Sequence, residues 1–491
     1  MKIVSVAQMR EWERSAVEAG VSEENLMVLA AQGIAERLDS IFPQADEFIF
    51  FCGKGHNGCD GLLASRYLAQ KGRAVRCYSP YELGQPDVLP IGEKHISFGE
   101  NSVLIDALLG ISGRSGLSPE IRAVTEKYLQ PSSNFVVAID IPSGVHGDSG
   151  EISDGAVTAD TTLTCGFPKI GLFTEESCAR AGRVQAVPLA LPGTWVSDPA
   201  TDFEFFDIHA ARWILPRRRW TAHKGDCGHV CVVAGQEGTT GAAVMAVEGA
   251  LSSGAGLVTC LVPRQIYHIV SGQVMEAMVR PYESIEELFY MIPEKASSLL
   301  VGPGIGLHEK WDDFLMRVLL ERSRKTVLDA DALTVLSRKS VLMDSLHGNV
   351  LLTPHAGEMR RLFNGRGIPR LNAVHDFVGR FPAAVLLKGA YSLVGQKGFN
   401  FSVNSTGNPG MASGGMGDVL AGLCAGLCAQ GHGVFDAGRL GCFLHGLAAD
   451  IALREQSYET LLPRHVISFL GEAFQMIRGV GSQPNFLVNG R

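Results

Sequence analysis

FIFFCGKGHNGCDGLLASRYLAQKG, residues Phe48 to Gly72, passes from a short β-type apolar run through a glycine-rich loop into an amphipathic helical pattern. Gly53, Gly55, Gly58 and Gly61 let the chain turn and bring backbone N–H groups close to a ligand, and a helix from about Gly61 aims its positive end at the loop. The spacing misses G-x-G-x-x-G, and no Lys-Ser or Lys-Thr completes a P-loop. Taken alone, the stretch supports an anion or nucleotide beyond the C-terminal end of a strand; a glycine turn without a ligand is the competing reading. Its order of strand, loop and helix is the unit from which parallel α/β sheets are built.

The unit recurs along the chain. Strands are expected at Phe48–Phe51, Ala74–Tyr78, Val103–Asp106, Phe135–Asp140 and Thr161–Cys165, then at Val230–Ala234, Gly256–Leu261, Ser298–Val301, Thr326–Asp329, Val350–Thr353 and Ala384–Lys388. Between the two sets, VPLALPGTWVSDPATDFEFF (Val187 to Phe206) clusters Pro, Gly, Ser and Thr and reads as a junction. A length of 491 residues exceeds what one core usually organises, so two α/β domains are expected, residues 1–203 and 204–491.

Lys and Arg number 43 against 51 Asp and Glu, a net charge of −8 without long runs of one sign, which argues against nucleic acid as the main partner. Eleven scattered cysteines show no disulfide or zinc spacing; Cys424 and Cys428, at i,i+4 in AGLCAGLCA, read as core packing. The N-terminal MKIVSVAQMREWERSA lacks a secretory pattern, and no apolar run reaches membrane-spanning length. A cytoplasmic protein without a membrane partner is expected, acting on small molecules as a homo-oligomer.

Strand-end polar residues mark where ligands would gather, because the C-terminal strand ends of a parallel sheet open on one crevice. In the first half these are Asn57, Asp60, Asp106 (SVLIDALLG), Asp140 (VVAIDIPSG) and Ser143. In the second half, GQEGTTGAA, LLVGPGIG, VLDADAL, LLTPHAGEMRRL and LLKGAYSLV each end polar or glycine-rich, and GNPGMASGGMGDVLAG (Gly407 to Gly422) sets Asp418 beside an anion-cradling loop. Asp418 is either a first-turn acid favoured by the helix dipole or a base. His355 fits a loop contact better than proton transfer, and Lys388 fits either a phosphate or the surface.

HNGCDG, DALLG, AIDIPSG and ADTTLTCGFPKIGL, in this order, resemble the Rossmann-like α/β/α epimerase domain of NAD(P)H-hydrate repair enzymes. The resemblance implies a potassium ion on Asn57, Asp106 and Ser143, and a nucleotide on two loops. The first loop is His56, Asn57, Gly58, Cys59 and Asp60; the second is Gly110, Ile111, Ser112, Gly113, Arg114, Ser115 and Gly116. Asp140 would be the acid/base, and Lys169 either a phosphate contact or a solvated lysine. The family's loop usually reads Asn-Asn-Gly-Gly-Asp, so His56 and Cys59 depart from it.

The second-half segments resemble the ribokinase-like α/β/α dehydratase domain of the same enzymes. That implies Lys388, Gly389, Ala390, Tyr391, Ser392 and Gly417 on ADP or ATP with Mg2+. Ala242, Gly304, His355 and Asp418 would lie on the hydrated NADH or NADPH, with Asp418 the general base. Two other readings stay open: a ribokinase-like small-molecule kinase, and a first half that binds without catalysing.

Overall fold

The computed structural model describes residues 1–91, 96–111, 116–189 and 199–479. They divide into two compact units, Met1–Phe203 and Glu204–Arg491.

The first unit holds a seven-stranded, all-parallel sheet in the order Val88–Pro90, Val75–Ser79, Glu47–Cys52, Ser102–Ala107, Phe135–Ile139, Thr161–Cys165, Arg183–Val187. Its central strands are apolar on both faces, as EFIFFC and FVVAI show, because both faces are covered. Ile49 and Phe51 pack with Ile121, Val124 and Tyr128. Side chains alternate along a strand, so Phe48, Phe50 and Cys52 face the other layer, where the helix His56–Gln70 lies against the sheet. The chain winds to one edge from Glu47–Cys52 and restarts beside it at Ser102–Ala107. That reversal opens a crevice beyond the C-terminal ends of these two strands.

The second unit repeats the winding. Met278–Tyr282, Leu257–Pro263, His229–Val233, Ser298–Val301, Lys325–Leu328, Val350–Leu352 and Ala384–Leu387 run parallel in that order, and Leu393–Gly395 and Phe401–Asn404 extend the sheet antiparallel. Here the reversal falls between His229–Val233 and Ser298–Val301. The helices Thr240–Ser252 and Met416–Ala429 pack backbone to backbone. A Cβ on Gly249 would lie 2.3 Å from the Val419 carbonyl oxygen, and one on Gly422 2.0 Å from that of Ala246. Cys424 and Cys428 are buried in this core, and the described residues include no metal-binding cluster of His, Cys, Asp and Glu. No helix among the described residues is long and apolar enough to cross a membrane.

Candidate active sites

In the first crevice only Gly53, Lys54 and Gly55 separate strand from helix; His56 to Asp60, expected in a loop, form the opening of the helix. The glycines permit this compression. A Cβ on Gly53 would lie 1.9 Å from the Leu108 carbonyl oxygen, and one on Gly58 1.9 Å from that of Gly53. The helix therefore starts earlier than the glycine spacing suggests, and its free N–H groups reach the crevice directly. Cys59 points outward, exposed, in helical backbone that accepts a side chain without strain.

Asn57 is buried, and its Nδ2 donates to the Leu109 and Ile139 carbonyls at 2.7 and 3.2 Å. The amide is thereby oriented with Oδ1 buried and unpartnered. Asp106 is fully buried; its carboxylate accepts from the Ser143 amide at 2.7 Å, the Ser143 hydroxyl at 2.6 Å and the Leu108 amide at 3.2 Å. Burial pushes Asp106 up to about 6, against those hydrogen bonds. Ser143 Oγ in turn accepts from Leu109 N at 3.0 Å, so Asn57, Asp106 and Ser143 are joined through Leu109. A Cβ on Gly110 would sit 3.1 Å from Asn57 Cβ and 3.5 Å from Asp140 Oδ2, which places Gly110 at the same crevice. Ile111 is half-buried, and Gly116, φ 96°, has open space where a side chain would stand. Ser112, Gly113, Arg114 and Ser115 lie outside the described residues.

Asp140 takes a left-handed φ of 68°, uncommon for a side-chain-bearing residue. Its Oδ1 accepts from Lys169 Nζ at 2.5 Å, and more weakly from Cys165 N and Thr164 Oγ1. Lys169 is 1% exposed, so the expectation of a solvated lysine is corrected: its ammonium is sunk against the Asp140 carboxylate. Asp60, half-buried, keeps Oδ1 without a partner; burial, then Asp140 and Glu13, push it up to about 8. Glu13, on the helix Val6–Glu18, is also raised by burial, with Lys169 opposing.

In the second crevice, Gly304 (φ 62°) follows the strand Ser298–Val301, and a Cβ there would lie 2.8 Å from Thr239 Cβ and 3.1 Å from Ala242 Cβ. Thr239 Oγ1 donates to the Gly304 carbonyl at 2.7 Å. Ala242 is half-buried at this junction, while its neighbour Ala243 is fully buried in the core.

His355 caps the helix Ala356–Leu362: its Nδ1 accepts from the Gly357 and Glu358 amides at 3.0 and 3.4 Å, and Glu358 Oε2 accepts from His355 N at 2.8 Å. Its ring is 55% exposed, with Nε2 3.5 Å from Glu358 Oε1. Lys388 follows the strand Ala384–Leu387 and directs Nζ to Asp329 Oδ1 at 2.7 Å, with Glu358 Oε2 at 3.9 Å. Nζ lies 3.2 Å from where a Cβ of Gly417 would be, so that glycine admits an ammonium to the helix Met416–Ala429. Burial lowers the Lys388 ammonium, but Asp329 and Glu358 outweigh it and hold its pKa above the usual value. Gly389 N and O both bond Ser392 Oγ, and Arg370 donates to the Ala390 and Tyr391 carbonyls, shaping the segment of residues 388–392 from behind.

Gly415, φ 90°, is the N-cap of the helix Met416–Ala429, so Asp418 stands at the third position of the first turn rather than at the cap. Burial, with repulsion from Asp329 added and Lys388 opposing, pushes Asp418 up to about 7. That is poised for proton transfer near neutral pH. Sequence reasoning missed Asp329, Glu358 and Glu13. Asp329 carried a usable signal, a carboxylate at a strand end in VLDADAL; Glu13, distant in the chain, carried none.

Residues 230–471 match a family model described as NAD(P)H-hydrate dehydratase, and residues 23–93 and 89–171 one described as YjeF-related protein N-terminus. A bifunctional NAD(P)H-hydrate repair enzyme from Coxiella burnetii is 36% identical over 478 residues, spanning 93% of this chain and 96% of its own. One of the same name from Escherichia coli is 32% identical over 475 residues, spanning 90% and 88%. The solved structure of a ribokinase-like superfamily protein from Enterococcus faecalis V583 shares the fold over 58% of this chain and 99% of its own, with a TM-score of 0.50 and 24% identity.

Proposed function

The chain belongs to the family of bifunctional NAD(P)H-hydrate repair enzymes, and from that premise we propose how its two crevices divide the chemistry. It epimerises the R and S hydrates of NADH and NADPH and dehydrates the S form to NAD(P)H at the expense of ADP or ATP. The rival sequence reading, a kinase with a non-catalytic first half, gains no support from relatives that align across both halves under one bifunctional name.

Residues 204–491 are assigned the dehydratase. The observation that carries this is Asp418, a half-buried carboxylate raised to about 7 in the first turn of a glycine-led helix, with Lys388 Nζ directed to the same turn. Asp418 takes the proton of the hydrate's hydroxyl as that oxygen attacks the terminal phosphoryl group. The free amides of the helix start and Lys388 stabilise the charge that develops there. Phosphate then leaves with electron push from the ring nitrogen, and loss of a proton from the neighbouring carbon restores the dihydropyridine. Ala242, Gly304 and His355 flank the hydrate; Lys388 to Ser392 and Gly417 hold the adenine nucleotide. Magnesium, brought on the nucleotide phosphates, would supply charge neutralisation there.

Residues 1–203 are assigned the epimerase, with Asp140 as acid/base at the hydrate's hydroxyl-bearing carbon. Asn57, Asp106 and Ser143 would hold potassium: the orphaned Asn57 Oδ1 and the all-oxygen donor set fit a hard monovalent cation. When bound, the ion supplies a fixed positive charge that offsets the buried Asp106. A cytoplasmic location is supported by the free cysteines, and self-association belongs to the same proposal.

The test supplies the full chain with chemically hydrated NADH plus ADP or ATP and follows NADH absorbance. Recovery is expected. A stable phosphorylated product without recovery, for either donor, would falsify the repair reading.

A further inference from the structure

Lys169, buried against the acid/base Asp140, has no part in the chemistry above. An ammonium has three donors, and those of Lys169 go to Asp140 Oδ1 at 2.5 Å, the Cys165 carbonyl at 2.9 Å and Thr164 Oγ1 at 3.4 Å. None remains for a substrate phosphate. The other carboxylate oxygen of Asp140, Oδ2, is on the crevice side, near Gly110. The Asp140 backbone is held in its left-handed conformation by a hydrogen bond from its N–H to the Leu163 carbonyl at 2.7 Å. Asp60 and Glu13 act on the pair electrostatically from the helices His56–Gln70 and Val6–Glu18, and both are carboxylates. Lys169 is the buried cation set against this acidic group, with His56 and Arg10 acting on Glu13 more weakly.

We propose that Lys169 is a positioning residue of the epimerase reaction: it pins Asp140 Oδ1 so that Oδ2, fixed in direction, serves as the acid/base at the hydrate's hydroxyl-bearing carbon. The inference rests on the epimerase reading of this crevice. Lys169 acts only through Asp140, so its loss lowers turnover without weakening substrate binding, the opposite of what a phosphate ligand would show.

The experiment compares Lys169→Met, Asp140→Asn and the double variant, each in the full chain, by the rate of R-to-S interconversion. Lys169→Met is expected to lower kcat on the order of 100-fold, with KM changed by no more than about twofold. Dehydration of the S form by the same chain stays at the wild-type rate. The double variant is expected to be no slower than Asp140→Asn alone. A raised KM with kcat retained, or losses that multiply in the double variant, overturns the inference. Where Lys169→Met does not fold, Thr164→Val takes its place, removing one hydroxyl from the pair while keeping both charges. It is expected to lower kcat severalfold at constant KM, and unchanged kcat overturns the inference. A wild-type chain that cannot interconvert the epimers removes the epimerase reading, and this inference with it; an active wild type with indifferent variants removes the inference alone.

Discussion

Gly58→Ala sets two effects of opposite sign against each other at the start of the helix His56–Gln70. By helix propensity alone, alanine stabilises a helical position by up to about 1 kcal/mol over glycine. The new Cβ, however, would stand 1.9 Å from the Gly53 carbonyl oxygen, with Gly53 C and N at 2.6 and 2.9 Å. These are backbone atoms that no rotamer change can move aside. Relief requires the helix start to retreat by roughly 1 Å or more, at an overpacking cost of about 1–3 kcal/mol. The net is a loss of about 0–2 kcal/mol, but the effect on catalysis is larger, because a misplacement of about 1 Å can cost 100-fold in rate. Epimerisation should therefore fall about 100-fold while S-form dehydration, carried by the other unit, is unchanged. Cys59→Gly, next in the chain and exposed, should cost only about 0.5 kcal/mol of helix propensity and little activity. Interconversion of the R and S hydrates and thermal unfolding measure both quantities. A Gly58→Ala chain that is more stable and fully active would refute the close-approach reasoning.

Asp418 must be ionised to accept a proton, so the dehydratase kcat/KM of the free enzyme should fall tenfold per unit as pH drops below about 7, and Asp418→Asn should lack both activity and this limb. The raised value also makes the folded state bind its proton more tightly than the unfolded chain does. That contribution to stability is present below about pH 4 and lost as pH rises through 7. Asp418→Asn should consequently match the wild type at pH 4 and melt higher above pH 7; equal melting at both would contradict the burial. Exchanging potassium for choline should lower the unfolding temperature and the epimerase rate together, and Asn57→Ala should abolish the dependence of both on potassium. Gly304→Val would fill the space beside Thr239 and Ala242 from a residue with φ 62°, so KM for the hydrate should rise with ADP affinity little changed; unaltered KM would remove Gly304 from the substrate site.

Legibility in the sequence followed burial. Thr161–Cys165 and Ser298–Val301 were readable to the residue because TTLTC and SLLV are short runs of strand-favouring Thr, Leu and Val bounded by turn residues. Met278–Tyr282 is exposed at alternate residues and was not expected, and Phe203–Phe206 was hidden among the Pro and Gly of the junction. The short Leu393–Gly395 and Phe401–Asn404 belong to an antiparallel extension that the strand–helix alternation did not suggest. At the sites, residue types placed at strand ends pointed to the crevices, yet the partners stayed invisible. Nothing in FPKIGL distinguishes a lysine buried under Asp140 from one in water, and nothing in VLDADAL says that Asp329 bonds Thr353 and Lys388. Such pairings depend on register between strands distant in the chain, which composition does not encode.

The glycine-mediated contact between the helices Thr240–Ser252 and Met416–Ala429 makes the catalytic helix unequal along its length. Its far end, around Cys424 to Ala429, lies in the apolar core, while Gly417 and Asp418, half-buried, open on the crevice. Amide hydrogens should record that gradient, with exchange from residues 424–429 requiring global unfolding of the unit and exchange near 416–418 proceeding by local fraying. Asp418 is then carried on the free tip of a clamped rod: its average position is inherited from the core, and the small motion left to it is available for following the hydroxyl as phosphoryl transfer proceeds.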